Sequence, residues 1–551
     1  MSRFRWAACQ LDVLAKCLTA GKIRKALKDL PKTLDETYSR ILLAIDNDEN
    51  SEEALKILRW LTYARRPLTT LDVLEVTGIF LDGDPCFDDE CKLRDPSDIS
   101  RICSSFVSIY TTNRDGEEKD DQSTHALDFD KEGYDPARTF VRLAHFSVKE
   151  YFVSKRPTPA RYCLSEEESH GILASNCIVY LLRFENQEWM DDECEAKFPL
   201  ARYAARYWTR HARISQERSQ RQQTLTMKIL TQRPMAFEAW MHLEFSHEKC
   251  KIRRTIDELP SPLYAASNHG LTQAVSMLLT DENVDVDREW KREGNALYTA
   301  SEWGYESTAE MLLAKGANIN AQGGRYGNAL QAASARGNEK VVEILLAKGA
   351  DINVQGGYYG NALQAASDGG NEKIVEILLA KGANINAQGG YHGNALQAAS
   401  HRGHREVVKM LLANGVDVNA RGGYFGNALE ASVFREDLGA IIEDLLAHGA
   451  DINALGKYGT ALEAAARFGS ERTVRLLLAW DADRNVESFN GALFAASKKG
   501  KVGVVEALLD KREYVESEAR ALQLAAGKGR AKVVEILLSR EGPIGLCNFG
   551  L

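Results

Sequence analysis

Few residues in this chain stand at spacings that could carry out covalent or metal chemistry. Cys86-Phe87-Asp88-Asp89-Glu90-Cys91 gathers two thiols and three carboxylates within one short stretch. A tetrahedral metal site needs four ligands, and no second Cys or His pair stands at a suitable distance, so a solvated loop is expected. His401 and His404 flank Gly403 at a helix end and are not expected to bind metal. A triphosphate cradle needs Gly-x-x-x-x-Gly-Lys followed by Ser or Thr, whose backbone amides and lysine hold the phosphates. Gly21-Lys22, Gly456-Lys457, Gly500-Lys501 and Gly527-Lys528 all lack the hydroxyl residue. No serine sits on a nucleophile elbow. No catalytic residue, cofactor or metal is therefore expected.

The chemistry that the spacing does offer is recognition. Arg325-Tyr326, Tyr358-Tyr359, Tyr391-His392, Tyr424-Phe425 and Lys457-Tyr458 recur at one fixed interval. Each pair lies between glycines, where a hairpin tip is expected. Rigid aromatics lose little entropy on binding and are enriched in interface hot spots. A ladder of rings along one edge of a stack is the expectation, with some rings packing on the next hairpin and others facing a partner. A second set of positions precedes the glycine that ends each first helix: Glu302-Trp303, Ala335-Arg336, Asp368-Gly369, His401-Arg402, Arg467-Phe468 and Lys498-Lys499. These should line the concave face, and they drift from acidic and aromatic toward basic. The expected partner-binding residues are Tyr326, Tyr358, Tyr359, Tyr391, Tyr424, Phe425, Trp303, Arg336, Arg402 and Phe468.

One period sets the secondary structure around these residues. A leucine in a short Ala-Leu core recurs at Leu263, Leu297, Leu330, Leu363, Leu396, Leu429, Leu462, Leu493 and Leu522, and the interval is identical at every step from Leu297 to Leu462. The unit reads Gly327-Asn328-Ala329-Leu330-Gln331-Ala332-Ala333, then Gly337, then Val341-Val342-Glu343-Ile344-Leu345-Leu346. Two short apolar helical stretches with glycine punctuation at this period define a helix-pair solenoid, in which each unit buries its apolar face on its neighbours. Asparagine at 328, 361 and 394 can cap a helix, and Gly337, Gly370 and Gly403 can end it in the left-handed region. After the last outer helix, Ile544, Leu546 and Phe549 are expected to fold back as a cap.

The repeat resembles the ankyrin repeat, with Asn-Ala-Leu-Gln-Ala-Ala standing where that family has Thr-Pro-Leu-His-x-Ala. The likeness runs from 255 to 551 and implies a binding solenoid. The first half also resembles a family. Phe4-Arg5-Trp6-Ala7-Ala8-Cys9-Gln10-Leu11-Asp12, Leu30-Pro31-Lys32-Thr33-Leu34-Asp35-Glu36-Thr37-Tyr38 and Leu143-Ala144-His145-Phe146-Ser147-Val148-Lys149-Glu150-Tyr151 resemble fungal NACHT–ankyrin proteins of the nucleotide-switch (STAND) class. That resemblance implies the helical and winged-helix regions that follow the NTPase core. The missing phosphate loop means that ATP binding does not carry over.

The expected organisation is a helical region (1–65), a winged-helix-like domain (66–156), a helical linker domain (157–254) and a nine-repeat solenoid (255–551), in a mainly α chain. Thr33-x-x-Glu36, Asn50-x-x-Glu53, Ser147-x-x-Glu150 and Ser165-x-x-Glu168 read as capping boxes. A helix over 71–76, a helix over 97–103, and strands over 106–110 and 139–143 flank a polar insertion at 113–136. The net charge of −9 argues against a nucleic acid partner, which needs a basic surface. The helix over 71–76 carries Asp72 and Glu75 and no base, so DNA reading by it is not expected. Arg202, Arg206, Arg210 and Arg213 form a basic stripe beside Tyr203, Tyr207 and Trp208, read as a solvated face over an aromatic core. No run of about 18 apolar residues could span a membrane. The ten scattered cysteines suit a reducing compartment, cytoplasmic or nuclear. The expected function is a non-enzymatic protein-binding scaffold or sensor. The alternative is a regulatory part of a nucleotide-switch ATPase whose core is absent from the chain.

Overall fold

The computed structural model describes Thr19, Gly21, Lys22 and residues 30–112, 135, 138–186, 197–245, 259–291, 293–511 and 517–540. The chain divides into two compact units, residues 1–262 with 269–280, and residues 263–268 with 281–551. The proposed cap at Ile544, Leu546 and Phe549, the segment at 4–12 and nearly all of the insertion at 113–136 lie outside the described residues.

The first unit is built of helices around a small sheet. Strand Thr139–Leu143 lies in the middle, antiparallel to Leu68–Thr69 on one side and to Val107–Thr111 on the other. Its register pairs Val141 with both Leu68 and Ile109. Helix Ser51–Tyr63 buries Leu55, Ile57, Leu58 and Trp60. Helices Glu166–Leu182 and Ala201–Ile214 carry a second core in which Trp208 meets Trp240 edge-on at 4.8 Å. The exposed face of the latter helix bears Arg206 and Arg210, which lie beside the Tyr207 ring at 6.0 and 5.7 Å.

Several local expectations are corrected. Thr33 does cap its helix through the Glu36 amide (3.1 Å), but the Glu36 carboxylate reaches Lys32 N, one residue before the cap. Asn50 and Ser165 make no side-chain cap bond. The helix expected to open at Ser147 opens instead at Phe146, and the His145 ring accepts the Ser147 amide at 3.2 Å. A full capping box stands where none was expected, at Thr69 and Asp72. Asp72 and Glu75 do not face outward on helix Thr70–Thr77: they are 1% and 5% exposed. Asp72 pairs with Arg66 at 2.7 Å, and Glu75 is held by Lys92 (2.8 Å), Arg183 (3.1 Å) and the Tyr180 hydroxyl (2.8 Å). Carboxylates buried this way need their partners, since an unpaired buried charge costs several kcal/mol.

In the second unit the period becomes regular geometry. The regular unit is an eight-residue helix, such as Ala329–Arg336, followed by a nine-residue helix, such as Glu339–Ala347. First helices pack on first helices of the next repeat, and second helices on second. Asn328, Asn361 and Asn394 accept the amides of Gln331, Gln364 and Gln397 at 2.9, 2.9 and 2.8 Å. Gly337, Gly370 and Gly403 end their helices at φ of +80°, +69° and +88°. Leu330, Leu363 and Leu396 fill the core with Val341, Ile374 and Val407. Along the loops after the second helices, Asn320, Asn353, Asn386 and Asn419 each accept a backbone amide from the next repeat at 2.7–3.0 Å.

One repeat departs from this plan. Helix Ala428–Ala431 gives way after four residues to a 3-10 turn at Ser432–Phe434. The three repeats before it end their first helices on a left-handed glycine, but here Glu436 stands one full period after Gly403.

Candidate protein-binding surface

The hairpin tips of the second unit are tied to one another through the backbone. Within a tip, Gly356 N donates to Gly360 O and Gly389 N to Gly393 O, both at 2.8 Å. Between tips, Tyr358 N donates to Arg325 O (3.0 Å), Tyr391 N to Tyr358 O (2.8 Å) and Tyr424 N to Tyr391 O (2.8 Å). Beneath three successive tips a buried glutamine, Gln331, Gln364 or Gln397, bonds the hairpin to the preceding helix. Gln364 Nε2 donates to Ala387 O (3.0 Å) and Gly393 O (3.2 Å), and Gln331 does the same one repeat earlier. Glu430 occupies this position where the hairpin is one residue shorter, and it cannot donate as a carboxylate. The backbone there supplies the donors instead, Lys457 N and Tyr458 N, both 2.6 Å from its oxygens. Burial pushes the Glu430 carboxyl up to about 7, against the pull of those two amides.

This ladder holds two columns of rings. The inner column is Tyr298, Tyr326, Tyr359, His392 and Phe425, with successive centroids 5.6–6.5 Å apart. The outer column is Tyr358, Tyr391 and Tyr424, near-parallel at 5.1 and 4.9 Å. Cations close it at both ends, Arg325 5.6 Å from Tyr358 and Lys457 3.2 Å from Tyr424. A cation over a tyrosine face is attracted by the ring quadrupole.

Exposure separates the two columns and corrects part of the expectation. Tyr326, Tyr359 and Phe425 are buried, at 7%, 8% and 3%, so they stiffen the stack and present no face to a partner. The second residue of the first four tips, Tyr326, Tyr359, His392 and Phe425, points inward, whereas Tyr458 of the last and shorter tip is only half-buried. Tyr358 and Tyr391 are half-buried and Tyr424 is 37% exposed.

Of the residues before the helix-ending glycines, Trp303 is 52% exposed, and its Nε1 donates to Asn268 Oδ1 at 3.1 Å. Arg336 lies 5.4 Å from that ring and pairs with Glu302 at 2.6 Å. Arg402 is exposed and bonds Asp368 at 2.8 Å. Asp368 itself does not line an open face: it is 7% exposed and also takes His392 Nε2 at 2.8 Å. Burial alone would raise its carboxyl, but the hydrogen bonds and charges of His392 and Arg402 hold it down at about 2. Phe468, 39% exposed, packs on Phe434 (5.3 Å) and Tyr458 (4.8 Å). The structure thus brings the outer tyrosines into one row, pairs Trp303 with Arg336, and gathers Phe468 with two rings that sequence reasoning had not joined to it.

A carboxyl held below its unfolded value of 3.8 adds stability that is present above about pH 4 and is lost as pH falls through about 2. Asp368→Asn is accordingly expected to cost about 2 kcal/mol at pH 7 and almost nothing near pH 2. Urea unfolding at the two pH values checks this.

A cavity of about 400 Å³ in the first unit is lined by Ser165, Ser175, Ser215, Arg218 and Gln222 among others. Glu167 and Glu168 also line it, and no histidine does. Among the described residues, no group of three or more His, Cys, Asp or Glu side chains could hold a metal ion. Cys91, from the candidate clip, donates its thiol to Asp88 Oδ2 at 3.1 Å.

A family model of ankyrin repeats in three copies matches residues 240–323 and 329–422. The azaphilone pigments biosynthesis cluster protein L of Monascus ruber is 33% identical over 309 residues, 53% of this chain. The match spans 61% of that relative's length. Among solved structures, the human ASB11 ankyrin repeat domain is 26% identical, over 40% of this chain and 97% of that one, with a TM-score of 0.35. The chain is mainly helical, and its second unit is an ankyrin-repeat solenoid.

Proposed function

We propose that this chain is a non-enzymatic scaffold or sensor that holds a protein partner along the hairpin edge and concave face of its solenoid. The observation that carries this reading is the outer column, three stacked tyrosines left partly exposed on a hydrogen-bonded backbone ladder and closed by two cations. Such rings are already ordered, so little entropy is lost when a partner covers them. Trp303, Arg336, Arg402 and Phe468 extend the same surface. Neither a specific DNA or RNA nor a cofactor is part of this reading. No helix among the described residues is long and apolar enough to cross a membrane. Cys103 and Cys177 are buried as free thiols, their acidity reduced by burial, which fits a cytoplasmic setting.

A second reading is favoured by the first unit. Its order of helix, strand, helix, a two-stranded ribbon at Ile79–Phe80 and Cys86–Phe87, helix, strand and strand, with the last strand central in the main sheet, fits a winged helix with an inserted ribbon. Together with the sequence resemblance, this supports a regulatory piece of a fungal nucleotide-switch protein. Both readings use the solenoid for binding.

Replacing Tyr358, Tyr391 and Tyr424 together by serine is expected to weaken capture of the partner at least tenfold, about 1.4 kcal/mol. The melting temperature should move little. A sharp fall in melting with unchanged affinity per folded molecule would assign the rings to stability alone.

A further inference from the structure

The irregular repeat is where the solenoid surface differs most in chemistry. Because its first helix gives way to a 3-10 turn at Ser432–Phe434, Phe434 comes within 5.3 Å of the Phe468 ring and 5.7 Å of the Tyr458 ring. Phe468 remains 39% exposed, with Tyr424, 37% exposed, linked hydroxyl to hydroxyl to Tyr458 at 3.1 Å. A partly exposed cluster of four rings is an anchor site for a large apolar side chain.

The charges around it differ from those earlier in the array. Arg336 and Arg402 are each neutralised by a carboxylate of the preceding repeat, Glu302 and Asp368. In the repeat before Arg467 the position of Glu302 and Asp368 is taken by the uncharged Phe434. Arg467 lies 5.9 Å from both the Tyr458 and Phe468 rings, and neither it nor Lys498 nor Lys499 pairs with a carboxylate among the described residues. Burial raises the carboxyls of Glu430 and Glu463, the acids nearest on these helices, and the Arg467 charge works against that rise at Glu463. Lys457 adds a further cation over Tyr424. The chain is acidic as a whole, yet this region presents unpaired positive charge beside exposed rings.

We propose that the surface formed by Phe434, Tyr458 and Phe468, with Arg467, Lys498 and Lys499, docks a linear acidic segment of another protein, one large apolar side chain flanked by Asp or Glu. This rests on the reading of the solenoid as a protein-binding surface and adds the partner's chemistry and its place. The apolar side chain covers the rings, and the carboxylates meet cations that have no internal partner. Complementary charge also speeds encounter and excludes basic segments.

Panning a random dodecapeptide display library on the full chain tests this. The expected result is enrichment of peptides with several carboxylates around one large apolar residue, at a recovery about tenfold lower on Arg467→Glu and on Phe468→Ser. Circular dichroism melting confirms that the variants are folded, and the double change Lys498→Glu with Lys499→Glu gives a second test on exposed side chains. Enrichment of neutral or basic peptides, or acidic peptides retained by all three variants, overturns this inference and leaves the proposed function standing. No enrichment of any sequence overturns both.

Discussion

Replacing Gln364 by alanine is expected to destabilise the solenoid by about 1–3 kcal/mol, because it strands the Ala387 carbonyl and takes one of two donors from Gly393 O. The side chain is 1% exposed, and its amide is the donor to Ala387 O and Gly393 O across the next hairpin. Alanine leaves Ala387 O buried without that donor, while Gly393 O keeps the Gly389 amide. Water entering the vacated space can recover part of the loss. Urea unfolding followed by circular dichroism gives the size. A loss below about 0.5 kcal/mol, the range of an ordinary surface change, would mean that the glutamine does not lock the hairpin.

Alanine at Gly390 is expected to cost more, about 3–5 kcal/mol, near the top of the range for single substitutions. Its φ is +62°, and an added Cβ would lie 2.1 Å from Tyr359 O and 2.6 Å from Gly360 N. Those are backbone atoms of the neighbouring tip, so relief requires the ladder to part. Gly382→Ala is the control: its φ is +91°, but nothing lies within 4 Å of the added atom. That change carries only the left-handed backbone cost of about 1–2 kcal/mol. Equal losses at the two positions would show that the tips are not closely stacked.

The solenoid was legible in the sequence because each signal repeats and each has one physical meaning. Asn328, Asn361 and Asn394 read as caps, and Gly337, Gly370 and Gly403 as left-handed ends, and all six take those roles. The ring ladder was legible from spacing, but its division into buried and edge columns was not. Both residues of a tip are aromatic, and only the path of the hairpin decides which points inward. The Asp368–His392 pair was hidden because its members stand at unrelated positions of two different repeats, so no shared period links them. Phe434 was missed for the opposite reason. The leucine spacing keeps its period through that repeat, since a hairpin shorter by one residue offsets a longer first segment, so periodicity gives no sign of the altered helix. In the first unit, the Ser/Thr-x-x-Glu pattern is short enough to fit helix starts one residue apart, which is how His145 took the place expected of Ser147.

Site-specific photocrosslinking tests whether the hairpin edge and the first-helix ends of the solenoid hold a protein partner. A benzophenone side chain is placed at Tyr391, at Phe468 and, as a control, at Glu343 on a second helix of the stack, each in the full chain. The expected result is one and the same protein joined covalently from 391 and 468 and not from 343. Crosslinks from 343 alone, or from none of the three while a partner still co-purifies with the chain, would contradict it.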